Sequence, residues 1–190
     1  AGGEPSPGLA FMNGELELFP VPAPPAEFWS QRLTRHGDVV YCADDYEVRS
    51  YAPPASWSAP LGGTFAAAVL DVRWHGGSLY AAGNVPNGVV RWDDGEWVAL
   101  GGGLGTAHTH PHVDCLAHFG GDIYAGGTFG LPSVTDERPA GAGIGRWDGD
   151  AWHAVDGGVD QEVLALCVYG DALWVGGNFH RAGALETANL

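Results

Sequence analysis

His108-x-His110-x-His112, within the run GTAHTHPHVD, is the sharpest concentration of chemistry-bearing side chains in this chain. Alternate residues of an extended segment point to one side, so three imidazoles could meet one divalent cation, with Asp114 and His118 close by in sequence. The plainer alternative is three solvated histidines in a loop between two strands, whose conformation Pro111 fixes only in part. A metal is therefore expected at His108, His110 and His112 or nowhere, and no other cofactor is expected. Asp93-Asp94-Gly95-Glu96 and Asp148-Gly149-Asp150 look like calcium loops at a glance. They lack the D-x-D-x-D-G spacing with a distant Glu that a hard cation needs. They recur at equivalent places, and Asp-Gly is hairpin-turn chemistry.

Nucleophilic and acid–base signatures are missing. GxSxG, HExxH, P-loop and Rossmann patterns do not occur. His153 has carboxylates in its neighbourhood (Asp156, Asp160, Glu162, and the pair Asp136-Glu137), but their spacing does not bring them together. No cysteine has a histidine partner in the sequence. No catalytic residue is assigned, and the expectation is a protein that is not an enzyme.

Composition narrows the partners. The net charge is −15, with eight Arg and no Lys. Nucleic-acid binding rests on basic patches that neutralise phosphate, so no nucleic-acid partner is expected. No apolar run approaches the roughly 18–20 residues of a bilayer span, so no direct membrane insertion is expected. The chain opens at Ala1 with AGGEPSPG and no Met. Read as a mature end left by signal-peptide cleavage, this predicts a secreted, periplasmic or cell-surface protein; the alternative is an arbitrary boundary. Three cysteines cannot all pair within one chain. Cys115 and Cys167 fall in equivalent strands and Cys42 in the next strand type, so all three are expected as small buried hydrophobes. One disulfide plus a free thiol is the alternative.

The elements that position these residues repeat. VDCLAHFGGDIYAGGTF (113–129), VLALCVYGDALWVGGNF (163–179) and VLDVRWHGGSLYAAGNV (69–85) align without a gap, and RLTRHGDVVYCADD (32–45) is a fainter copy. Such self-similarity marks a repeat architecture. In residues 113–159, Val113, Cys115 and Ala117 alternate with Asp114, Leu116 and His118, predicting a first strand. Gly120-Gly121-Asp122 supplies a hairpin turn. Ile123-Tyr124-Ala125, Gly143–Trp147 and Ala151–Val155 follow as the second, third and fourth strands. Tyr41, Tyr80, Tyr124 and Trp174 hold one place in the repeat, spaced by 39, 44 and 50 residues. Tyr51, Trp92 and Trp147 hold another, and Trp57, Trp97 and Trp152 a third. Recurrence in register predicts that these aromatics pack between neighbouring sheets. Gly126-Gly127 and Gly176-Gly177 close the second strand where a Cβ would clash. Arg91 and Arg146, each before a Trp, are expected to stack on aromatics and reach a neighbouring sheet's carbonyls. Four antiparallel strands every 40 to 50 residues describe a propeller blade.

The pattern apolar–Tyr–x–Gly–Gly, Arg-Trp-Asp, then Trp resembles the kelch-type β-propeller repeat. It is closer to a bacterial variant reading "YVGGNF…AGG…ARWDG…W". The matching residues are Tyr124, Gly126, Gly127, Phe129, Arg146, Trp147, Asp148, Gly149 and Trp152, and again Trp174, Gly176, Gly177, Asn178, Phe179, Ala182 and Gly183. The resemblance implies an all-β propeller of about four short blades, at 32–68, 69–112, 113–162 and a partial 163–190, behind a Pro-rich strap at 1–31. The last repeat stops where a further ARWDG…W would come. The N-terminal GELELF and EFW segments could supply the missing outer strands and close the ring. Otherwise the chain is a fragment of a longer propeller, or several chains assemble one ring or dock on partners.

Propellers of this kind serve as protein-binding platforms, sugar binders and occasionally enzymes. The expected function is a non-enzymatic binding or structural module, with a protein partner held by the 104–112 and 130–142 loops and a place within a larger complex. A carbohydrate-binding propeller is the first alternative. A metalloprotein or enzyme built on His108, His110 and His112 is the second.

Overall fold

The computed structural model describes residues 10–12, 18–20, 32–52, 57–102, 104, 111–130 and 143–187. Among them every regular element is a strand, and neighbouring strands pair antiparallel. β1 (Ala10–Met12) and β2 (Leu18–Pro20) pair with each other. Four units follow. Unit 1 holds β3 (Arg32–His36), β4 (Val39–Ala43) and β5 (Val48–Tyr51), then a lone bridge from Tyr51 to Trp57. Unit 2 is a four-stranded sheet of β6 (Val69–His75), β7 (Ser78–Gly83), β8 (Val89–Asp93) and β9 (Glu96–Ala99). Unit 3 repeats it with β10 (His112–Phe119), β11 (Asp122–Thr128), β12 (Ile144–Trp147) and β13 (Trp152–Ala154). Unit 4 has β14 (Val163–Tyr169) and β15 (Ala172–Gly177), followed by a separate small pair, β16 (Arg181–Ala182) and β17 (Leu185–Glu186).

The turns follow from residue type. Gly37, Gly76, Gly120 and Gly170 take φ of 55–64° at the first hairpin of each unit. Asp94 and Gly95 (φ 44° and 93°) make the β8–β9 turn, the left-handed pair that matches strand twist. At the β12–β13 turn, Asp148 Oδ1 accepts from the N–H groups of Asp150 and Ala151, both at 3.0 Å. These backbone donors, with a smaller contribution from His153, hold the Asp148 carboxyl down at about 2. Both acidic runs are hairpin turns.

The Gly-Gly motif has a cause in the pairing. Opposite β7, β11 and β15, the first strand of the unit skips one residue: the register jumps from Val69 to Asp71, from Val113 to Cys115 and from Val163 to Ala165. Each jump is a β-bulge, which turns the backbone of the first strand toward its partner. A Cβ on Gly83, Gly127 or Gly177 would stand 2.1 Å from the carbonyl oxygen of Ala68, His112 or Glu162 respectively. Unit 1 pairs without interruption from Arg32↔Ala43 to His36↔Val39, and there Asp44 stands where the other units need glycine.

The units stack through opposite faces. The face of unit 1 with Ala43 and Val48 packs on Val72, Leu79, Ala81 and Val90 of unit 2. The other face of unit 2, with Tyr80, Ala82 and Val89, packs on Leu116, Ile123 and Ala125 of unit 3. Cys115 and Ile144, on unit 3's next face, pack on Leu166 and Val175 of unit 4. At each of the three junctions a forward face of one unit thus meets the rear face of the next. β3, β6, β10 and β14 lie side by side in chain order, and among the described residues β14 makes no comparable approach to β3.

Two aromatic pairs lock these junctions. Trp92 and Trp97, 5.0 Å apart, close over Gly62, where a Cβ would meet both rings at 2.7 Å. The Trp97 Nε1–H donates to the Leu61 carbonyl at 2.7 Å. Trp147 and Trp152, 5.5 Å apart, do the same one unit on: a Cβ on Gly101 would be 2.7 Å from Trp147, and Trp152 Nε1–H donates to Leu100 O at 3.3 Å.

Candidate interaction surface

His108 and His110 lie outside the described residues, as do 105–110 and 131–142, the bulk of the two loops expected to hold a partner. His112 is not in a loop. It is the first residue of β10, paired with Thr128, because the strand begins before the alternation becomes visible in the sequence. Its Nδ1 lies 3.2 Å from Asp114 Oδ2. Among the described residues no three His, Cys, Asp or Glu side chains converge as metal ligands. Burial pushes the Asp114 carboxyl up, His112 pulls it down, and the nearby Glu162 charge adds a further upward push. Glu162 itself accepts from Thr128 Oγ1 of unit 3 (3.1 Å) and Asn178 Nδ2 of unit 4 (3.2 Å), so it ties two units together.

Two further expectations change. Arg91 and Arg146 do not reach across to a neighbouring unit. Arg91 Nη2 pairs with Asp93 at 2.8 Å and Arg146 Nη1 with Asp122 at 2.9 Å, inside their own sheets, where a carboxylate two residues or one strand away is nearer than the next unit's backbone. Cys42 and Cys115 are buried, but Cys167 is exposed. Burial pushes the Cys115 thiol up to about 12, with the Asp71 and Asp114 charges adding to it, so this thiol stays protonated and inert.

Asp71 is a buried carboxylate that sequence reading missed. It is 1 % exposed and lies at the place held by Cys115 and Ala165 in the next two units. Its Oδ2 accepts from the Leu116 N–H of unit 3 at 2.8 Å and from Arg73 Nε at 3.1 Å, and its Oδ1 from Val72 N–H at 2.9 Å. Burial raises its pKa, while these donors and the Arg73 charge oppose the rise. The signal in the sequence is the charged pair Asp71 and Arg73 on one side of VLDVRW.

Among the described residues, five of the eight exposed large hydrophobic side chains belong to unit 4: Leu164, Val168, Tyr169, Trp174 and Leu185. Cross-strand pairing sets Ala165 opposite Gly176, Cys167 opposite Trp174 and Tyr169 opposite Ala172, all on the forward face. Trp174 is 59 % exposed and Tyr169 77 %. At the register position of Trp174, Tyr80 is 8 % exposed, and Tyr41 and Tyr124 are half-buried. The rear face of unit 1 is different: Leu33 (48 % exposed) and Arg35 are exposed on its first strand, but Cys42 and Tyr51 beside them are buried.

No family model matches the chain, and no curated protein matches it. Among solved structures, the computationally designed Ika4 protein superposes with a TM-score of 0.56 at 14 % identity, over 79 % of this chain and 86 % of that one. The chain shares its fold with that designed protein. The extracellular domain of the hybrid two-component system BT4673 from B. thetaiotaomicron aligns over 85 % of this chain and 27 % of that one, at 10 % identity and a TM-score of 0.48.

Among the described residues no helix is long and apolar enough to cross a membrane. A shallow, open depression beside unit 2 is lined by Thr64, Phe65, Glu96 and Trp97. The indole N–H of that Trp97 is already given to Leu61. The thiols, imidazoles and carboxylates described form no nucleophile–base–orienter arrangement. What unit 4 offers is a sheet face with large aromatics and, among the described residues, no unit packed on it.

Proposed function

We propose that the four units are blades of a kelch-like β-propeller arc, working as a non-enzymatic, secreted or cell-surface binding module that engages another polypeptide. The observation that carries this reading is the exposed forward face of unit 4 around Trp174. In units 1 to 3 the equivalent face is covered by the next unit, and a flat aromatic sheet face of this kind is suited to protein contact. A sugar-binding propeller would need exposed aromatics recurring in register. Trp174 stands alone in that respect, which favours a polypeptide. The aromatic pairs are taken up in packing, which favours scaffold over active site. The acidic surface argues against a polyanionic partner.

Cys167 is the natural reporter because it pairs across the strands with Trp174 on the same face. In protein isolated from its native source without denaturation, Cys167 should react with a maleimide at least about tenfold more slowly than in the urea-unfolded chain. Labelling as fast as in the unfolded chain would overturn the reading.

A further inference from the structure

We infer that the depression beside unit 2, at Phe65, Glu96 and Trp97, is a binding site for a weakly hydrated organic cation, an alkylated ammonium or a guanidinium. The site lies apart from the face of unit 4 and does not rest on the role proposed for that face. Its volume is about 320 Å³, with Thr64 and glycines on the remaining sides. That is room for a small ligand group.

The lining suits a positive charge. The rings of Phe65 and Trp97 meet at 50° with centroids 5.6 Å apart, and both are half-buried. Aromatic ring faces are electron-rich and attract a cation. Glu96 is exposed and brings a carboxylate, which only accepts. The Trp97 Nε1–H, a donor that an anion or a sugar would use, is spent on Leu61 O at 2.7 Å. The net charge of −15 draws cations toward the surface as a whole.

Unit 3 shows that the fold does not require these residues. Phe65 N–H donates to Tyr46 O at 2.6 Å and Leu104 N–H to Asn87 O at 3.0 Å, so Phe65 and Leu104 hold the same place. The pairs Trp92↔Trp97 and Trp147↔Trp152 put Glu96 and Ala151 at another shared place. Unit 3 thus closes its Trp pair beside a leucine, 2 % exposed, and an alanine. Unit 2 has a ring and a carboxylate instead. Glu96 also stands directly across the turn from Asp93. Like charges set opposite each other weaken a ladder. Sheet stability therefore disfavours a carboxylate at this position, and a cationic ligand beside the two rings gives it a use.

The test follows the assigned indole N–H resonance of Trp97 in the ¹⁵N-labelled chain. Choline and N-acetylarginine amide are titrated separately, up to about 100 mM because such contacts are weak. A saturable shift is expected, and added salt should weaken it. Tighter binding of choline assigns an alkylated ammonium, and tighter binding of the arginine derivative assigns a guanidinium. Phe65→Leu and Glu96→Ala copy unit 3, so the fold should survive. Each should weaken binding by at least about twofold, and the double variant by at least about fivefold. The inference is overturned if neither cation gives a saturable shift. It is equally overturned if the neutral methyl glucoside shifts the resonance as strongly as the cations, or if the folded double variant binds like the unaltered chain.

Discussion

In unit 3, Cys115 and Ile144 lie packed against Val163, Leu166 and Val175, and a Cβ on Gly126 would meet Val163 Cγ1 at 2.5 Å. In unit 4, Ala165, the counterpart of Cys115, is exposed, as are Cys167 and Trp174 on the same face, and a Cβ on Gly176 would meet nothing within 4 Å. The two segments share hairpin turn, bulge position and Gly-Gly ending. The strand sequence therefore specifies a surface ready to be covered, and the following unit decides whether it is. Burial here is a property of junctions rather than of strands, as in any stack whose neighbours contact only neighbours.

Replacing aromatics tests this contrast most strongly. Trp147→Ala empties a site 8 % exposed over Gly101 and should cost about 3–5 kcal/mol in urea unfolding. Trp174→Ala, measured on the single chain, should change stability by less than about 0.5 kcal/mol. Equal losses would mean that the two faces do not differ as described. Glycines sharpen the point because their sign reverses. Gly126→Ala must push Val163 and the Cys115 sulfur aside and should destabilise by about 1–3 kcal/mol. Gly176→Ala has open space and should be neutral or stabilising by about 0.5–1 kcal/mol, since glycine is unfavourable in a strand.

The smallest effect is in pH. His75 and His118 stack with ring centroids 3.4 Å apart where units 2 and 3 meet. Burial, and then the His118 charge, lower the His75 pKa below its ordinary 6.5. The unfolded chain therefore binds more protons than the folded one between that lowered value and 6.5, so stability rises with pH across this window and falls on acidification. His75→Gln should flatten the slope. Unit 4 has Tyr169 and Val168 at these two places, so no such slope should arise from its face.

The hairpins, the alternation and the four-part repeat are legible in the sequence because each rests on a local requirement: a left-handed glycine, a period of two, an aromatic recurring in register. That a Cβ would clash at Gly127 and Gly177 is legible too, but the bulge that causes the clash is not, because a bulge is a relation between two strands and leaves no mark on either alone. The four-stranded pattern holds less well in unit 1, and in unit 4, expected as a partial repeat, two further short strands appear. In unit 1 the fourth strand is a single bridge at Trp57, preceded in sequence by Pro53 and Pro54, which have no N–H to give a ladder. In unit 4, β16 and β17 form a hairpin too short to show in periodicity. Among the described residues, β1 and β2 pair only with each other and supply no strand to unit 4. Cys167 was misplaced because its equivalence to Ala117 is real in register but void in environment. The histidine run directed attention to the 104–112 loop, whereas the exposed apolar face lies on two strands whose residues look like ordinary core.

The carboxylate of Asp71 has one more consequence. It holds the Leu116 amide from the neighbouring sheet, on the side of β10 that β11 does not cover. That proton cannot be lost to solvent by fraying of unit 3 alone while Asp71 stays in place. Its protection from exchange with deuterium should therefore report the free energy of parting units 2 and 3, which makes a single backbone hydrogen a gauge of the opening of the stack.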